Sequence, residues 1–499
     1  MTTTTKTQML VAMGLLLAAS TSQALTYKYR VPANGVTGQP GTGGAGGAGG
    51  SPPFQLSPSA IDFGAVAVTG ARTIDLTVTN PGATAKPITL GSLSAPFSRT
   101  SNCPPSLAAG ASCLVSITFS PTAGTPSTAS ATASDGAATA TASVTGSGDA
   151  TAIVEIVSGP YHSFAKKTDG NWYGTGWNSS GQLGLGPGTD KLSFTLVPAL
   201  AGATKVVPSG FFTYALKPDG KWYATGSNYN GELFLGDTTT RTSFTEVPAL
   251  AGVTQIVGGE NYTFARKADG SWIVAGNNAQ GQLGLGDTTT RTVPTPVPAI
   301  NGATEISTHA HSTFARLANG SWVTTGDNNA GQLGLGDTVN RNAFTPVPGL
   351  AGATVVSVGA YDTFAKIGSN WYTTGANYWG QAGMGDFTMR KTFTLVPALT
   401  GARAVFSANG FTLAQLASGV WAGVGNNQDG RIGQPSTVSS VNTFTPLPGV
   451  SDAWAISVGE VQSFLRFSNG NWYTSGWNSH GELGLGDTTT RYGFTPVPR

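Results

Sequence analysis

The sequence predicts an all-β chain, a seven-bladed β-propeller preceded by an immunoglobulin-like β-sandwich. Three observations predict it. First, Trp172, Trp222, Trp272, Trp322, Trp371, Trp421 and Trp472 stand 49 to 51 residues apart, and a period of that length marks a repeat architecture. Second, each tryptophan leads a W-x-x-x-G-x-N-x-x-G unit. In the third copy it runs into G-Q-L-G-L-G-D over 281–287, which recurs letter for letter over 331–337 and in close variants over 231–237, 380–386 and 481–487. The copy over 181–186 stops short of the aspartate, and the sixth, from Gly430, has diverged most. Third, 70 glycines and 29 prolines punctuate short β-branched and aromatic runs, as strands joined by tight turns require.

Taken in order, residues 1–24 read as a signal peptide. Lys6 supplies the positive charge, 9–19 is an apolar run, and Ser22-Gln23-Ala24 brings small residues to the cleavage position. The run is too short to span a bilayer, so no membrane span is expected after cleavage. No cysteine stands nearby to carry a lipid anchor. The expected location is exported: periplasmic, cell-surface or extracellular. Residues 25–53 are expected to be a linker, because 41–50 is almost all Gly and Ala and offers nothing to pack.

Residues 54–148 read as a separate sandwich. Alternating or β-branched runs over 62–66, 73–79 and 114–119 are separated by Asn80-Pro81-Gly82 and Ala108-Ala109-Gly110, the spacing of short strands in a two-sheet fold. Cys103 and Cys113 are the only thiols, and in an exported chain such a pair is expected to form a disulfide. The run I-x-F-G-x-V over 61–66, V-T-N-P-G over 78–82 and the segment from Cys103 to Pro121 resemble the hydin-type immunoglobulin-like domains, called choice-of-anchor D domains in bacterial surface proteins. That resemblance implies a spacer or assembly role and no catalytic residues.

Residues 149–499 hold the repeats. In the second copy, strands are expected over 205–208, 212–217, 221–226 and 244–250. Four strands in each of seven copies make seven blades, because one blade cannot bury its own faces and a closed ring can. The copies begin after a V-P-A-L segment and end on its counterpart over 494–498. Strands from the two chain ends are therefore expected to share one blade, hiding an edge. The unit resembles the regulator-of-chromosome-condensation repeat. That family implies the propeller but no single activity: it includes nucleotide exchange on a nuclear GTPase, ultraviolet sensing, and β-lactamase inhibition by a secreted bacterial protein. Export favours the last as precedent.

Chemistry is sparse. Only 10% of residues are charged, with 26 basic against 24 acidic, so no basic stripe awaits nucleic acid. The repeated Gly-Leu-Gly-Asp occurs too often for a phosphate loop and precedes no helix. Asp237, Asp287, Asp337, Asp386 and Asp487 each stand four residues before an arginine and read as intra-blade partners. The repeated asparagines read as turn residues bonding backbone. His309-x-His311 lacks the third ligand a zinc site needs. No nucleophile–base–acid set stands out, so neither catalysis nor a cofactor is expected.

Variation between copies points to recognition. One variable loop precedes the second strand, carrying Tyr161, His162, Phe211, Phe212, Tyr262, Tyr361 and Phe411. The other follows the third strand, carrying Trp177, Tyr229, Tyr378, Trp379 and Trp477. Strands two and three form a hairpin, so both loops open at one end of the blade, and an aromatic face results, of the composition hot spots favour. Its diversity favours one asymmetric protein partner over repeated sugar sites. The alternatives are a carbohydrate- or cell-wall-binding surface and, in a different class, an enzyme whose site assembles only in three dimensions.

Overall fold

The computed structural model describes residues 53–499 apart from Thr69, Ser436, Ser451, Asp452, Ser468 and Asn469. The signal-peptide reading and almost all of the linker reading fall outside the described residues.

Alternation builds the sandwich. In Ser112–Phe119 and Arg72–Thr79 every second residue turns inward. One sheet orders Gln55–Ser57, Arg72–Thr79, Ser112–Phe119 and Phe97–Ser101; the other orders Ala60–Ala67, Thr139–Asp149, Pro126–Ser134 and Thr89–Leu90. Between them Phe63, Phe97 and Phe119 meet at 4.7 to 6.0 Å, with Leu76, Val78, Ile117 and Val144 around them. Cys103 and Cys113 are joined, with Cα atoms 5.0 Å apart.

Seven four-stranded sheets follow, over 153–196, 205–246, 253–296, 305–346, 353–395, 404–446 and 453–496. Each is an antiparallel meander of four consecutive strands, as in Ile153–Ser158, His162–Lys167, Trp172–Gly176 and Lys191–Leu196. The first strands of blades one to six touch in succession, as do those of blades seven and one, so they line the central channel.

The repeat residues hold the blades together. Each leading tryptophan is buried and donates its indole N–H across the seam, Trp172 to Ala203 O at 3.0 Å and Trp272 to Ala303 O at 3.2 Å. Asn278 accepts from Leu283 N and donates to Asp287 O, both at 2.9 Å, closing the loop on itself. Asp287 in turn holds Arg291 at 2.6 Å, and the Asp–Arg pair recurs in blades two, four, five and seven. The glycine loop then presses on the next blade. A Cβ on Gly284 would stand 2.4 Å from the Phe344 ring, and one on Gly184 2.4 Å from Phe244.

Two expectations fail. The chain ends do not share a blade: Arg491–Pro496 pairs with Trp472–Gly476 of its own blade, and Ile153–Ser158 with its own. The ring closes by the same tryptophan latch as every other seam. Trp472 donates to Ile153 O at 3.1 Å, Thr175 to Gly481 O at 2.7 Å, and Val497 packs with Ile153 and Ala455. Because each copy is a whole sheet with its own latch, closure needs no exchanged strand. The V-P-A-L segment is also not strand throughout: in five blades its Pro-x-Leu or Pro-x-Ile part forms a 3-10 turn such as Pro248–Leu250, where proline starts the turn and the aliphatic residue is buried.

Candidate binding face

The two variable loops of every blade lie at the same end. The residue after the third strand donates its N–H to the carbonyl just before the second: Trp177 to Tyr161, Ser227 to Phe211, Asn277 to Asn261, Asp327 to His311, Ala376 to Tyr361, Asn426 to Gly410, and Trp477 to Val461, all at 2.8 to 3.0 Å. Seven such links place both loop sets on one face of the disc.

On that face a cluster of rings spans blades seven, one and two. Tyr161 stacks on Phe211 at 5.4 Å and meets Trp177 edge-on at 5.5 Å; Trp477 stands 6.4 Å away. His480, which is not among the candidate residues read from the sequence, lies flat on Trp177 at 4.5 Å, and Asp190 holds its Nδ1 at 2.6 Å. These rings are half-buried, whereas Tyr229, Tyr361, Tyr378 and Trp379 are exposed, Tyr229 at 72%. Trp379 leans toward the next blade, where Gly410 leaves room for its indole.

His162, Phe212, Tyr262 and Phe411 are not on the face: all four are fully buried. They are one residue later than Tyr161, Phe211, Asn261 and Gly410, and strand alternation turns them inward. The His162 ring meets Thr213 Oγ1 of the next blade at 2.8 Å, and Tyr262 OH donates to Ser312 O at 3.0 Å. Burial pushes the His162 imidazole down to about 3, so it is neutral filler.

The axial mouth holds what the sequence reading missed. The residue just before each of these loop carbonyls is Pro160, Gly210, Ala310, Ala360 or Asn409 in five blades, but Glu260 in blade three and Glu460 in blade seven. That departure was the available signal. Glu460 receives Tyr161 OH at 3.2 Å and Asn409 Nδ2 at 3.4 Å, and His309 Nε2 approaches from across the ring at 3.3 Å. Burial pushes the Glu460 carboxyl up, but these partners, His309 foremost, outweigh it and hold it below the usual range. Glu260 faces His311 at 3.5 Å; burial, then the charge of Glu460, push it up. His309 and His311 thus serve different carboxylates, and no three His, Cys, Asp or Glu among the described residues are grouped to hold a metal ion.

Comparison with known proteins follows the same division of the chain. Residues 51–135 match the family "Abnormal spindle-like microcephaly-assoc'd, ASPM-SPD-2-Hydin" (ASH). Residues 269–316 and 153–182 match the regulator of chromosome condensation (RCC1) repeat. No curated protein matches the sequence. Among solved structures, Prp20p from Saccharomyces cerevisiae is similar at 18% identity and a TM-score of 0.58, covering 70% of this chain and 88% of that one. Yeast RCC1 (Prp20) bound to Kap60 gives 19% and 0.57, covering 64% and 82%. Human WBSCR16 gives 17% and 0.51, covering 58% and 80%. The chain thus carries a domain that matches the ASH family, of immunoglobulin-like fold, followed by a seven-bladed propeller in which two stretches match the RCC1 repeat and whose fold is that of the RCC1 structures.

Proposed function

We propose that the chain is an exported, non-enzymatic protein that captures a protein partner on its aromatic face. The observation that carries this reading is the run of half-buried and exposed rings on one end of the disc: Tyr161, Trp177, Phe211 and Trp477 in contact, with Tyr229, Tyr361, Tyr378 and Trp379 farther round. Large rings give contact area at little entropic cost, and contiguous exposed apolar surface marks interaction sites. The Cys103–Cys113 disulfide and the apolar run over 9–19 support an oxidising destination. The structural neighbours lend a precedent for protein partners, since one is bound to Kap60 and Prp20p is described with binding properties to Gsp1p and histones.

The test uses the immobilised full chain to capture partners from bacterial and host surface extracts. Tyr229→Ala and Trp379→Ala are expected to lose the captured protein while melting as the parent does. Capture undiminished in both variants would overturn the reading.

A further inference from the structure

The aromatic face surrounds a mouth whose floor is acidic. Glu260 and Glu460 enter it from blades three and seven, and the charge of each reaches both Tyr161 and Tyr361. Asp327 acts on Tyr361 as well. The nearby cation, Arg431, is committed to Asp429 and to Asn409 O at 3.2 Å. Its ion pair is with Asp429, whereas Glu460 and Glu260 face the imidazoles of His309 and His311. His309, more than nine-tenths buried, points Nε2 at Glu460 yet makes no hydrogen bond through it. Glu260 and His311, by contrast, open to solvent with about a third of each side chain exposed.

Resting on the protein-binding reading, we propose that this mouth receives an arginine side chain of the partner, seated against Glu260 with Glu460 beneath it and Tyr161 and Tyr361 at its rim. Two carboxylates of like charge in a partly dry mouth repel each other, and a cation between them relieves that repulsion. A bare metal ion would need a tighter ligand set than exists here. A guanidinium fits better: its planar fork matches a carboxylate edge, and its face stacks on tyrosine rings. Arginine beside aromatic anchors is also the usual make-up of an interface centre.

The probe is the peptide acetyl-Gly-Arg-Gly-amide, titrated into the full chain and followed by NMR. Its citrulline counterpart keeps the shape and loses the charge. The arginine peptide is expected to saturate at about millimolar concentration, with citrulline at least ~10-fold weaker, the margin a charge-assisted bidentate contact gives. Glu260→Gln, at a position about a third exposed, is expected to weaken arginine binding by about the same factor with an unchanged melting temperature. Glu460→Gln serves as the second variant. Equal binding of the two peptides, or arginine binding unchanged in Glu260→Gln, overturns the proposal. Tyr229→Ala separates the two readings. If it loses partner capture while the peptides fail to discriminate, only the axial site falls. If the peptides discriminate as expected while Tyr229→Ala and Trp379→Ala keep full capture, the axial site stands and the aromatic-face reading falls.

Discussion

Single residues separate packing from recognition most sharply at the tryptophans. Trp272 is fully buried with its N–H spent on the next blade, whereas Trp379 is 38% exposed. Trp272→Ala is expected to cost about 3–5 kcal/mol, the range for large buried aromatics, and Trp379→Ala about 0.5 kcal/mol or less, as thermal melts would record. The seven repeat tryptophans were legible as scaffold because they recur. The inward turn of His162, Phe212, Tyr262 and Phe411 was not, since variability alone does not say which of two adjacent residues faces the seam. Asp362, at the same inward position in blade five, gives a pH prediction. Burial pushes its carboxyl up to about 7, against a hydrogen bond from Ser407 at 2.6 Å. A carboxyl raised in the folded state contributes stability below its unfolded value near 3.8 and loses that contribution as pH rises through 7. His162 has the opposite sign, its contribution being lost as pH falls from 6.5 toward about 3. Asp362→Asn removes only the first effect. Its melting temperature relative to the parent should therefore climb between pH 4 and 8, and a difference independent of pH would show that Asp362 does not titrate there.

Among the elements, the glycine loop and the neighbouring fourth strand form a matched pair. Gly184, Gly284, Gly334, Gly383, Gly433 and Gly484 each sit under a phenylalanine of the next blade. Blade two breaks the pattern with Phe234, buried and at φ 60°, and the equivalent residue of blade three is Pro294 rather than phenylalanine. The ring has moved from one side of the seam to the other. Phe234→Gly is expected to lose about 3 kcal/mol or more through the cavity, and Pro294→Phe alone about 1–3 kcal/mol through overpacking. The double variant should recover most of both losses, which a denaturant double-mutant cycle would measure as coupling. Additive losses would mean that the two positions do not share the seam. The loop itself could be read from its repetition, but its partner lies 60 residues on in the Gly184–Phe244 pair, beyond any local pattern. The Asn turns and Asp–Arg pairs were legible because both members lie within one loop.

For the whole molecule, the period fixed the blade number, yet it left the phase open. A repeat cut at a blade boundary and one cut inside a blade have the same spacing, so shared strands could not be told from whole ones. Closure instead rests on Trp472, Thr175 and Val497. Removing residues 494–499 strips the second half of the outer strand of blade seven and uncovers Ile153, and the melting temperature should fall; an unchanged melt would mean that this seam is not needed. The recognition claim also belongs to the whole disc, because its rings come from loops of four blades, one, two, five and seven, and gather only when the ring is closed. The most direct measurement compares partner capture by the parent chain and by a variant with Tyr229, Tyr361, Tyr378 and Trp379 all changed to alanine, each assayed beside its melting curve. The account predicts an unchanged melt and captured protein reduced at least ~30-fold, since even one hot-spot residue is worth about 2 kcal/mol. Full capture by that variant, with the fold intact, would contradict it.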